Sequence, residues 1–137
     1  MIISLNSKYH TLERGLTRIM GRALRYLKKP ESYLEAYLVT DRFIRDLNKR
    51  FKKSDKVTNV LAFPFKDFPQ YPQKHYLGEV YLAPDYVKKT GNSLEHLVIH
   101  GLLHLLGYTH EKKRDRIRME KLEKKLMQLI SRANKAS

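Results

Sequence analysis

The sequence predicts an α+β domain: one small mixed sheet packed against helices. Three observations carry that expectation. Apolar runs of strand length at residues 33–39, 58–65 and 77–83 are mixed with segments of helical apolar spacing, without the regular alternation of a doubly wound fold. With 137 residues at 42% hydrophobic content, the chain suits one core and is too short for two. No internal repeat or linker-like composition divides it, so a single domain is expected over residues 1–137.

Taken in order, residues 1–5 suit a first strand. Leu12, Leu16, Ile19, Met20, Ala23 and Leu27 then recur at helical spacing and form one apolar face. At 100° per residue, Arg14, Arg18, Arg22, Arg25 and Lys29 gather on the opposite face within an arc of about 80°. This basic stripe is either a solvated helix face or a set of phosphate contacts. Residues 33–39 alternate as a strand. Thr40 or Asp41 can cap the next helix, with Phe43, Ile44, Leu47 and Phe51 turned inward. Strands at 58–65 and 77–83 flank a Pro- and Tyr-containing loop at 66–76. In that loop Phe68, Tyr71 and Tyr76 either stack on bases or pack the loop down. Asn92 and Glu95 suggest a capping pair, and Gly107 a stop, for a helix over about 93–106. A last helix repeats Met119, Leu122, Leu126 and Leu129 after the basic run "KKRDRIR".

The chain has no cysteine, which excludes disulfides, thiolate metal sites and thiol nucleophiles and agrees with a reducing compartment. The first ten residues do not read as a signal peptide, and no run approaches a membrane span. A soluble cytoplasmic protein without a membrane partner is expected. Lys and Arg number 28 against 14 Asp and Glu, a net charge of +14, so the expected partner is a polyanion, nucleic acid first.

The chemistry concentrates in "HGLLHLLGYTH", residues 100–110, with His96 one turn upstream. On a helix, His96, His100 and His104 form one narrow stripe on an otherwise apolar, buried cylinder. A lone buried histidine is usually satisfied by one hydrogen bond, and His96 fits that description. Several stacked imidazoles are harder to satisfy, because each brings polar atoms whose burial costs about 1–3 kcal/mol if unpaired. A shared cation resolves the difficulty. Two histidines one turn apart offer two vertices of a zinc tetrahedron, and Gly107 lets the chain turn back so that His110 offers a third. Three neutral ligands leave a fourth position for water, the arrangement of a catalytic ion. Zn2+ is the expected cofactor, one per chain, although imidazole also suits other divalent transition metals.

The histidine and glycine spacing matches the metzincin proteases, but the residue after the first histidine, where those enzymes keep a glutamate base, is Gly101. A metallopeptidase would therefore lack its base. Phosphodiester cleavage suits a cationic surface better, since an anionic substrate is drawn to it. A third reading is an RNA-binding protein in which the metal only braces the fold.

Together "HLVIHGLLHLLGYTH" (96–110), "DKVTNVLAFPF" (55–65), the upstream Leu47–Asn48 pair and "LGEV" from Leu77 resemble the bacterial YbeY family of metal-dependent, single-strand-specific endoribonucleases. The resemblance implies an α+β fold with His100, His104 and His110 as zinc ligands. It also implies work in ribosomal RNA maturation, at the 3′ end of 16S rRNA, and in quality control of the small ribosomal subunit. Three positions depart from the family pattern. Lys52 follows Phe51 where an arginine is usual, keeping charge but losing a bidentate fork for phosphate, which makes Lys52 a candidate catalytic contact. Thr109 replaces an aspartate. Glu79 stands for another aspartate and is either a general base or, more in keeping with a strand, a structural carboxylate.

Overall fold

Four strands, β1 (Ile2–Ser4), β2 (Tyr33–Leu38), β3 (Val60–Pro64) and β4 (Tyr76–Leu82), form one sheet in the order β1-β2-β4-β3. The first two pairings are parallel and the last antiparallel, so the sheet is mixed, as the sequence predicts. The structure, a computed structural model, describes residues 1–65 and 75–136, with side chains as far as Ser131. Phe68 and Tyr71 lie outside the described residues. Among these residues five α-helices accompany the sheet: α1 (His10–Tyr26), α2 (Asp41–Lys52), α3 (Pro84–Lys89), α4 (Leu94–Leu105) and α5 (Lys113–Ala136).

Strand alternation puts Leu34, Ala36, Leu38, Val80 and Leu82 on one face, where they meet the apolar sides of α1, α4 and α5 in the main core. The other face carries Tyr37, Phe63 and Tyr81 and is partly covered by Ile44 and Leu47 of α2 around a smaller cluster. No helix of the described residues is long and apolar enough to cross a membrane.

Several expectations need correction. The cap of α4 is Ser93, whose hydroxyl accepts from the His96 backbone N–H at 3.3 Å; Asn92 instead bonds Thr90. Both residue types cap well, and their adjacency hid which one does. Helix α1 ends at Tyr26, and Lys28 takes a left-handed conformation, so Lys29 stands beyond the helix and not on its stripe. Leu12, Phe43 and Phe51 are exposed rather than inward. Phe43 stacks on Tyr81 and Phe51 meets Phe63 edge to face, so aromatic contacts take the place of full burial. Helix α3 was not anticipated, because its six residues are too few to show a period; Pro84 in its first turn was the available sign. For the α2 cap, the choice falls on Thr40, which accepts from Phe43 N–H.

Candidate metal centre

Helix α4 crosses the sheet at close range because Gly101 has no side chain. A β-carbon there would lie 2.8 Å from Cγ1 of Val80, a buried residue of β4. The helix stops in a Schellman turn: Gly107, at φ 101°, donates to the His104 carbonyl and Tyr108 to the Leu103 carbonyl, both at 3.0 Å. That reversal carries His110 back over the helix end. His100, His104 and His110 meet there, each offering a ring nitrogen within 4.8 Å of the others. Ring centroids lie 4.6 to 5.0 Å apart.

The donor set fits a divalent transition metal. Two imidazole nitrogens on one tetrahedral ion stand about 3.3 Å apart, given bonds of about 2.0–2.1 Å. Nε2 of His100 and Nε2 of His104 are 3.0 Å apart. Burial, with the neighbouring His100 and His110, holds the His104 pKa below its ordinary value and so favours the neutral ring that a metal needs.

His96 does not join this group. Its side chain is half exposed, and its Nε2 hydrogen-bonds Glu123 of α5, so it has the single partner expected but not the core position. Glu123 was missed from sequence. It is only 6% exposed, and its other carboxylate oxygen receives His100 Nδ1 at 2.8 Å. Burial pushes its pKa up, but the hydrogen bonds from His100 and His96 outweigh that and leave it below the ordinary carboxylate value. The sign was present, for Glu123 sits four residues after Met119 and three before Leu126, inside the apolar stripe of α5.

A cleft of about 350 Å³ opens beside the histidines, walled by β3, Gly107–Thr109 and Lys52. Lys52 lines this cleft, while its ammonium lies over the ring of Phe63, 5.1 Å from the centroid, on the sheet face shared with Tyr81.

With this geometry in view, the endoribonuclease YbeY family profile matches residues 3–131. The chain belongs to the YbeY family. A YbeY endoribonuclease of Ruthia magnifica is 36% identical over 126 residues, covering 86% of both chains. That of Vesicomyosocius okutanii is 34% identical over 140 residues, covering 94% of this chain and 96% of its own. A Thermotoga maritima protein solved in solution shares the fold with a TM-score of 0.66 and 26% identity, over 99% of this chain and 93% of that one.

The positions at which this YbeY-family chain departs from the pattern have definite surroundings. Thr109 lines the cleft and directs its hydroxyl at Asp115, 3.5 Å away, so a carboxylate from α5 stands beside the position where an aspartate is usual. Glu79 lies on the interior strand β4, with its side chain on the sheet face opposite Val80 and Gly101, where it accepts from the Tyr81 hydroxyl at 2.9 Å. Facing away from the histidines, it is a structural carboxylate and not their base. Tyr76 bonds Glu35 and packs against Tyr33 and Phe65. Arg14, Arg18 and Arg25 are exposed along α1 and Arg22 is half-buried, while Lys29 lines a cavity bounded by Leu106–Thr109 at the back of the histidine loop.

Proposed function

We propose that this chain is a zinc-dependent, single-strand-specific endoribonuclease that acts in the cytoplasm on ribosomal RNA precursors, in 16S rRNA 3′ end processing and ribosome quality control. The observation that carries the reading is the convergence of His100, His104 and His110, the first two of which line a cleft together with Lys52. Family membership supports RNA as the substrate class.

His100, His104 and His110 would hold the ion, which supplies Lewis acidity and a water acidified toward neutral pH. Lys52, which lines the same cleft, neutralises the phosphate as it enters. The +14 surface, with Arg14, Arg18, Arg22 and Arg25 along α1 and Lys29 behind the site, draws and docks the RNA or the small ribosomal subunit. The metallopeptidase reading is weaker, because the glutamate it needs would have to replace Gly101 against Val80.

The test is cleavage of a single-stranded RNA by zinc-loaded protein beside a His100→Ala control. Cleavage by the wild type alone is the expected result. Intact RNA with both, while both still bind it, would favour a non-catalytic scaffold; chelator-sensitive cleavage of casein would favour the peptidase.

A further inference from the structure

The proposed chemistry leaves the buried carboxylate of Glu123 without a role. Glu123 lies in the apolar stripe of α5 formed by Met119, Leu126 and Ile130, at 0%, 1% and 5% exposure. A carboxylate in such surroundings is costly unless hydrogen bonds compensate it. Two imidazoles do so, one on each oxygen: His96 Nε2 on Oε2 and His100 Nδ1 on Oε1, the latter at 2.8 Å.

His100 turns Nε2 toward His104 and Nδ1 toward Oε1 of Glu123, so with Nε2 as the metal-binding atom the ring proton sits on Nδ1, where the carboxylate accepts it. In the neutral ring Nε2 is then bare, which is the state a metal ligand requires. That same nitrogen points at Nε2 of His104, 3.0 Å away. His96 donates to the far oxygen from a half-exposed position at the start of α4. Held at both oxygens, the carboxylate cannot swing away from His100.

We propose that Glu123 is a positioning residue for the metal centre: it fixes the Nδ1–H tautomer and ring orientation of His100, with His96 bracing it from the other side. This rests on the reading of the three histidines as metal ligands. A carboxylate that served only to pin α5 to α4 would affect folding stability without changing the tautomer of His100 or the affinity of a folded protein for zinc.

The experiment uses the full chain, metal-free, titrated with Zn2+ against a chromophoric chelator, with 15N-histidine NMR of the same samples. Wild-type protein should show His100 as the Nδ1–H tautomer. Glu123→Ala should bind Zn2+ about 10- to 100-fold more weakly and show His100 shifted toward the Nε2–H form. The isosteric Glu123→Gln, whose carbonyl can still accept from Nδ1–H, should lose less; it carries the test if the alanine variant does not fold. Folded variants with wild-type affinity and an unchanged His100 tautomer would overturn the assignment while leaving the metal site standing. Wild-type protein that takes up no zinc would overturn the metal reading itself, and this assignment with it.

Discussion

Gly101 shows how one residue can decide between chemistries by packing. Its α-carbon faces Val80, so the position after the first histidine is committed to bringing α4 onto the sheet. Alanine there gains about 1 kcal/mol of helix propensity but overpacks a stiff, buried neighbour at a cost of about 1–3 kcal/mol. Gly101→Ala should therefore lose about 1 kcal/mol in urea denaturation. Gly101→Glu should unfold or strip the site of metal, not create a peptidase, which a casein assay and zinc content can check together. In the proposed chemistry Lys52, which lines the cleft, acts by its charge. Lys52→Ala should lower kcat/KM on RNA by about tenfold or more, whereas Lys52→Arg should retain activity, since a guanidinium supplies the charge and adds a second donor. Equal activity of the alanine variant would remove Lys52 from the mechanism.

At the scale of the element, α4 is defined by its ends. Ser93→Ala should cost about 1 kcal/mol by freeing the His96 N–H from its cap. Sheet strands β2 and β4 supply a pH effect. Glu35 lies opposite Glu79, and Tyr37 opposite Tyr81, in the parallel register. Burial, and then hydrogen bonding to Glu35, pushes the Tyr37 hydroxyl up to about 12; Tyr76 and Tyr81 are raised further by burial and by Glu35 and Glu79 respectively. Because the folded values exceed the unfolded one, the stability from these phenols is complete below pH 10 and is lost as pH rises through the folded values. These three should stay protonated at pH values where the phenols of the unfolded chain ionise, seen as 295 nm absorbance that appears only on alkaline unfolding. These elements differ in how far their sequence disclosed them. His100 and His104 were legible because a helix fixes the direction of residues four apart, and His110 because Gly107 can take the left-handed conformation that turns the chain back toward them. The bond from Glu123 to His100 spans 23 positions and two helices, so no local period reveals it. Phe43 and Phe51 were misplaced because helical spacing identifies a face but not how much of that face the sheet covers.

For the whole molecule, the question is whether the excess charge is a binding surface or only a solvated one. A net charge of +14 raises association with any polyanion, and its mere presence does not locate a site. Geometry narrows the choice: α1 packs on α4, and its basic side runs toward the end where Lys29 meets the back of the histidine loop. If RNA follows that line, each cation neutralising a phosphate contributes about 0.7 to the slope of log affinity against log salt for a single strand. Replacing Arg14, Arg18 and Arg25 with glutamine should then reduce the slope by about 2, and weaken binding at low salt far more than at high salt. These residues are exposed, so the unfolding midpoint should stay near that of the wild type. Zinc content should be unchanged too, which separates docking from the metal centre. An unaltered slope in the triple variant would mean that α1 presents a solvated face, and that the phosphate contacts lie around the cleft and the start of α5.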